Sequence, residues 1–287
     1  MREKIKGLLL DLLIYIMAFG VGIIPFVFIE SMVLATFIFT AIATFIIYLF
    51  SICFKDVSIY DPYWSVAPVV MILINMIKYH LWTINAFFIL ILVLIWSLRL
   101  TINWFITYKG LGNEDWRYKK YREKYKPFIF QIISFTGLHF IPTIVVFLGL
   151  ISGLFAIREN EFSYLSLVGA VIMVMAVYLE FLSDKTIHEF LKEHQGEKKT
   201  CNISVWKYSR HPNYLGEMSF WTGLFIYFVF ACPSIWYYGL GFLSIILLFL
   251  VVSIPLMEHH NMERRIDYQE YKEKTSMLLI LPNKKDK

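Results

Sequence analysis

Long apolar runs limit what this chain can fold into. They lie near residues 7–29, 31–54, 66–77, 83–107, 132–157, 162–183, 219–232 and 235–257. A helix needs roughly 20 residues to cross the hydrocarbon layer. Most of the runs reach that length, while those at 66–77 and 219–232 are short. No water is available at the centre of a bilayer, so a crossing segment must satisfy its own backbone hydrogen bonds, and single runs do so as helices. Composition agrees: 58% of the residues are hydrophobic and 17% are charged, against about 25% charged in soluble domains. The expected fold is all-α, a polytopic membrane helical bundle of about seven to eight transmembrane helices. The first run follows the basic start MREKIK and lacks a small-residue cleavage site, so it reads as a retained helix rather than a removable signal.

The basic residues orient the bundle. Lys78 and Arg158 fall in connections on one side, and Arg99 lies inside the fourth run. Every other Lys and Arg falls on the opposite side, in the two terminal tails and the loops after the second, fourth and sixth runs. By the positive-inside rule both termini are cytoplasmic, in a multi-pass protein of the cell membrane. The connections on the other side are too small for an extracellular receptor head. The net charge of +5 is explained by this bias, so no nucleic-acid partner is expected. Cys53, Cys201 and Cys232 are far apart and form no CxxC motif. There is no Walker A motif, no GxGxxG after a strand and no GxSxG.

Polar residues cluster at the cytoplasmic ends of the runs. Arg99 sits inside an apolar run, where a charge costs roughly 3 kcal/mol or more, so it should meet a partner or a wet cavity. Asn103 shares its helical face, four residues on. In the segment IYDPYWSVAP, Tyr60, Asp61, Tyr63 and Trp64 form an acid, phenol and indole group, which also suits an interfacial aromatic belt. The loop GNEDWRYKKYREKY reads as an amphipathic surface helix, with Arg117 and Tyr118 as candidate ligands.

The densest cluster runs from residue 180 to 217. Asp184 and His188 share a helix face. Lys198 and Lys199 follow, and then WKYSRHPNYLGE supplies Tyr208, Arg210, His211, Asn213, Tyr214 and Glu217. Basic side chains suit phosphates and aromatics suit a stacked ring, while Asn213 and Glu217, four apart, suit an amide or ribose. Beyond the last run, His260 and Arg264 are also four apart and extend the basic set. The adjacent His259 and His260 do not share a helix face and no HExxH is present, so no metal is expected.

These motifs together (RLTIN, EDWRY, the D-K…H-E-F stretch, WKYSRHPNYLGE and the C-terminal E…ER…Y..Y pattern) resemble the bacterial membrane proteins of unknown function related to steroid 5-alpha-reductase. The resemblance covers roughly residues 55–282. It implies a two-helix membrane segment at 1–54 followed by a reductase-like membrane domain at 55–287. It also implies NADPH held on the cytoplasmic side and a lipid or steroid-like enone entering from the bilayer. Carried over, Asn213 and Glu217 face the nicotinamide and its ribose, Asp184 the adenosine, and Arg99 the phosphates. His260 matches a histidine of the cofactor-binding stretch. Asp61 matches the acid near the substrate carbonyl, with Tyr60 and Tyr63 as companion donors. Two positions depart from the pattern. Trp96 stands where the steroid enzymes have a tyrosine, and an arginine near Lys199 is replaced. The RHPxY segment is also similar to isoprenylcysteine and phospholipid methyltransferases, which bind S-adenosylmethionine. That leaves methyl transfer as the alternative, with a non-enzymatic lipid-binding membrane protein as a third.

Overall fold

The computed structural model describes residues 2–283, so Lys284, Lys285 and Lys287 of the basic tail lie outside the described residues. Among the described residues, eight helical stretches are long and apolar enough to cross a membrane: Glu3–Phe28, Met32–Phe54, Val57–Lys78, Ile84–Thr107, Pro127–Ala156, Ser166–Glu193, Pro212–Ala231 and Pro233–Arg264. The chain is an all-α, multi-pass helical bundle. The spans expected to be short are full length. The third reaches 22 residues because a 3-10 turn at Val57–Tyr60 leads into its helix. The seventh reaches 20 because its helix begins at Pro212 and continues through Asn213 and Glu217. Hydropathy stops at the first polar side chains. The backbone still needs its hydrogen bonds there, so the helix does not stop with it.

The chain divides into two compact units, residues 1–162 and 163–287. The first holds α1 (Arg2–Gly22), α2 (Pro25–Phe28), α3 (Met32–Phe54), α4 (Tyr63–Lys78), α5 (Ile84–Thr107), α6 (Trp116–Lys124), α7 (Pro127–Ile133) and α8 (Ile141–Ala156). The second holds α9 (Ser166–Glu193), α10 (Pro212–Ala231), α11 (Phe242–Leu248), α12 (Ile254–Arg264) and α13 (Tyr268–Lys274). Two spans contain a π-helical segment, at Ser134–Phe140 and Phe249–Ser253. Each leads into a helix with proline in its first turn, Pro142 and Pro255. Proline has no N–H to give and its ring crowds the preceding turn, and the wider π turn relieves both.

In the first unit a polar stripe on α3 organises the core. Thr36, Thr40, Thr44 and Ser51 are all buried. Asn75 Nδ2 donates to Thr36 at 2.8 Å, and Thr40 meets the Tyr63 hydroxyl at 2.9 Å. Thr44 meets Thr143 at 2.9 Å, and Ser51 meets His139 Nε2 at 3.1 Å. Thr143 gives its one proton to the His139 carbonyl at 2.9 Å, so it accepts from both Thr44 and Tyr60. Buried polar groups in a dry interior must be paired, so these contacts fix the register of α3 against α4 and α8.

In the second unit α9 and α10 touch backbone to backbone. A Cβ on Gly169 would lie 2.3 Å from the Tyr227 nitrogen and 2.5 Å from the Gly223 carbonyl oxygen. One on Gly216 would lie 2.4 Å from Glu180 Cγ. Association of helices in lipid relies on close packing, which small residues permit. Aromatic side chains lie exposed at span ends in each unit: Trp82 in the first, and Tyr164, Trp236, Tyr237 and Tyr238 in the second. Such amphipathic rings favour the headgroup level.

Candidate functional site

In the first unit, the loop before α4 and the loop before α6 form a clasp. Asp56 accepts from Ser58 N at 2.9 Å and from Gly112 N at 2.7 Å. Glu114 accepts from Val57 N at 3.0 Å and is gripped by Arg122 at 2.6 and 3.0 Å. Ser58 Oγ accepts from Asp115 N at 2.9 Å. These bonds place α6 so that the Tyr118 hydroxyl donates to Asp61 Oδ1 at 2.6 Å. Burial, with the facing Asp61 carboxylate adding to it, pushes the Tyr118 phenol well above its ordinary pKa, so it stays a donor. Arg117 is next in sequence, half-exposed, with Nε on Asp115 at 2.8 Å and its guanidinium 5.4 Å from the Tyr118 ring.

The other expected residues of this unit are placed differently. Tyr60 and Tyr63 are fully buried. Tyr60 gives its proton to Thr143 at 2.8 Å, and Tyr63 bonds both the hydroxyl and the carbonyl of Thr40. Both phenols therefore serve the bundle core and reach no open surface. Arg99 is half-buried on α5 and is engaged by its surroundings, with Asn103 one turn on, also half-buried. Trp96 is completely buried and meets Trp64 edge-on at 6.0 Å.

The second unit is built around a strap. Its C-terminal tail lies along the loop between α9 and α10. Ile266 N donates to the Lys198 carbonyl at 3.1 Å, Arg210 N to the Ser276 carbonyl at 2.9 Å, and Ser209 Oγ to the Leu278 carbonyl at 2.7 Å. Tyr271 donates to the carbonyls of Trp206 and Ser209. Asp267 accepts from Thr200 N at 2.9 and 3.1 Å and from its hydroxyl at 2.6 Å. Burial raises the Asp267 pKa, but the Thr200 hydrogen bonds outweigh it and hold the carboxyl below its ordinary value.

Arg210, expected as a phosphate ligand, is the rivet of this strap. Its Nε and Nη2 bond Glu258 Oε1 at 2.7 and 2.6 Å, and Nη1 donates to the carbonyls of Lys272 and Thr275 at 2.9 and 2.6 Å. Lys272 meets the other oxygen of Glu258 at 3.0 Å, and His211 Nε2 lies 3.6 Å from Oε1. Arg210 is buried, so few of its donors remain for a ligand. The His211 ring stacks on Tyr214 with centroids 5.3 Å apart and planes at 5°. Glu217 is buried and accepts from Trp221 Nε1 at 2.9 Å.

Asn213, Tyr214 and Asp184 are half-buried, and Tyr208 is exposed. Lys199 is exposed and paired with Glu197 at 2.7 Å. Arg264 Nη1 lies 3.3 Å from His260 Nε2, one turn back on α12. A polar cleft beside the strap is lined by Thr200, Asn202, Lys207, Asp267, Glu270 and Lys274 among others, and by none of the expected cofactor residues.

Sequence reasoning passed over two intramembrane acids. Asp11 on α1 is buried, no hydrogen bond closes on either carboxyl oxygen, and the Tyr108 phenol stands alongside. Glu180 on α9 is buried against Gly216 and is engaged by its surroundings. Both interrupt apolar runs, which was signal enough to find them.

Together these features define a class: a polytopic helical membrane protein whose polar clusters gather at span ends. A family profile described as a protein of unknown function (DUF1295) matches residues 47–275, and the chain belongs to that family. Comparisons with curated proteins and with solved structures gave no match.

Proposed function

We propose that this protein is a membrane-embedded NADPH-dependent reductase of an activated C=C bond in a lipid or steroid-like enone. One observation carries the reading: the phenol–carboxyl pair of Tyr118 and Asp61, closed at 2.6 Å. The resemblance to steroid 5-alpha-reductases calls for an acid and a tyrosine near the substrate carbonyl, and Trp96 occupies the tyrosine's usual place. Tyr118 offers the missing phenol from α6.

The cofactor, when bound, supplies hydride to the electron-poor carbon of the enone. The chain's own work is then to stabilise the oxyanion that develops. A protonated Asp61 donates to the Tyr118 oxygen, which frees the Tyr118 proton to turn from Asp61 to the substrate oxygen, and the Arg117 guanidinium adds positive charge nearby. Solvent delivers the proton to the other carbon. Within the second unit, the side chains that would hold the cofactor are Asn213, Tyr208, Lys198, Lys199, His260 and Arg264. Asp184, Tyr214 and Glu217 complete the set. Arg210 does not fit a direct phosphate contact, because Glu258 and two carbonyls already take its donors.

A second reading, S-adenosylmethionine-dependent methyl transfer, draws on one observation: Arg210, His211, Tyr214 and Glu258 gather in a single cluster. Thermal stabilisation of detergent-purified protein by NADPH, NADP, NADH and S-adenosylmethionine separates the two. Ligand at 100 times its Kd adds about 2.7 kcal/mol. A shift with NADPH that is lost in Asn213→Ala supports the reductase. A shift with S-adenosylmethionine alone overturns it. Silence from all four in folded protein favours a lipid-binding role without catalysis.

A further inference from the structure

The two faces of α6 do different things. Tyr118, Tyr121, Arg122 and Tyr125 turn inward. Tyr118 forms an apolar cluster with Val57 and Phe130, against which Tyr121 and Tyr125 pack, and the Arg122 guanidinium lies 4.3 Å from the Phe130 ring. Phe130 belongs to the first turn of the span that starts at Pro127. These contacts hold α6 beside the beginning of a membrane span.

The outward side is cationic. Lys119 and Lys124 are exposed on α6, Lys126 is exposed in the two-residue link that follows, and Glu123 is the one acid among them. In the first turns of the span that follows, Phe128 is 77% exposed, and Ile129 and Ile132 are exposed as well. Exposed ammonium groups therefore lead directly into an exposed apolar surface at the start of a span. A phospholipid with a net negative headgroup matches both halves. Its phosphate meets the lysines and its chains lie along Phe128.

We infer that the outer face of α6, with Phe128 after it, is a binding site for an anionic phospholipid. The site is independent of the reductase reading, since it needs neither cofactor nor substrate. Clustered lysines at a membrane surface attract anionic lipid, each adding up to about fivefold in affinity, so three together favour it by up to about 100-fold.

Native mass spectrometry of the full chain tests the site, using detergent micelles that carry equal amounts of phosphatidylglycerol and phosphatidylcholine. Wild type is expected to retain phosphatidylglycerol at least about tenfold over phosphatidylcholine. The Lys119→Gln, Lys124→Gln, Lys126→Gln triple variant is expected to retain at least one molecule fewer. The corresponding triple arginine variant keeps the charge and should behave as wild type. All three side chains are exposed, so an unchanged melting temperature verifies the fold. Equal retention of the two lipids by wild type overturns the proposal, as does undiminished phosphatidylglycerol retention in the glutamine variant. Displacement of the lipid by millimolar inorganic phosphate alone also overturns it, because the acyl chains would then contribute nothing.

Discussion

Arg210 Nη2 lies 2.6 Å from Glu258 Oε1, joining the loop before α10 to α12 through a pair whose side chains are 8% and 12% exposed. The same guanidinium donates to the carbonyls of Lys272 and Thr275, so one residue ties the loop before α10 to both α12 and the end of α13. Removing Arg210 leaves the mostly buried Glu258 with only Lys272 and His211 and deprives the Lys272 and Thr275 carbonyls of their donor. Arg210→Ala is therefore expected to cost about 3 kcal/mol or more. The double variant Arg210→Met, Glu258→Leu should lose less than Arg210→Ala, because the buried carboxylate goes with its partner and the charge left without its contact is the half-exposed Lys272. Thermal unfolding in detergent measures both. A loss in Arg210→Ala no larger than for an exposed lysine would contradict the rivet.

Tyr118→Phe keeps the ring in its cluster and removes the hydroxyl that reaches Asp61. The reductase reading expects turnover to fall about 100-fold or more, the range of a lost general acid or oxyanion donor. NADPH-induced stabilisation should stay as in wild type. Tyr60→Phe should instead lower stability and leave turnover of the folded fraction intact, since its proton is committed to Thr143. Single-turnover rates alongside melting temperatures distinguish the two.

Gly169→Ala places a methyl group 2.3 Å from the Tyr227 nitrogen, so α9 and α10 must separate. Overpacking of this kind costs about 1–3 kcal/mol. Gly20 on α1 has nothing within 4 Å of where a Cβ would stand. Gly20→Ala should be neutral or stabilising by up to about 1 kcal/mol, as for any glycine in an open helix interior. Melting temperatures of the two variants should move in opposite directions or differ clearly.

Asp267 carries a pH dependence of definite sign. Its folded-state pKa is depressed because the Thr200 hydrogen bonds outweigh its burial. The stabilisation is thus fully present above the unfolded value of about 3.9 and is lost as pH falls through the lower folded value. Wild type should lose stability on acidification through that window more steeply than Asp267→Asn. Unfolding at a series of pH values from neutral downward checks it, and parallel curves would contradict it.

Much of the architecture was legible in the linear chain. The helical class and the number of spans follow from hydropathy, because the bilayer imposes length and backbone saturation on every crossing segment. The segments that carry polar chemistry were legible too, since charged side chains stand out against apolar runs. The true lengths of the third and seventh spans were not. Polar residues such as Asn213 and Glu217 end a hydropathy run but leave the helix intact.

Only the tertiary structure decided which polar groups are committed and to what. Sequence placed Tyr60 and Tyr63 among the donors at the substrate carbonyl and Arg210 among the cofactor ligands, and packing engages them in core and strap contacts. Sequence named Tyr60 and Tyr63 as the phenols beside Asp61 and Tyr118 only as a candidate ligand, and the clasp delivered Tyr118 to Asp61 from 57 residues away. The reason is physical. Hydropathy and helical period are local properties of a chain, whereas the pairing of a buried donor with its acceptor depends on which helices meet and at what height. In this chain that was set by the threonine stripe of α3 and the glycines of α9 and α10.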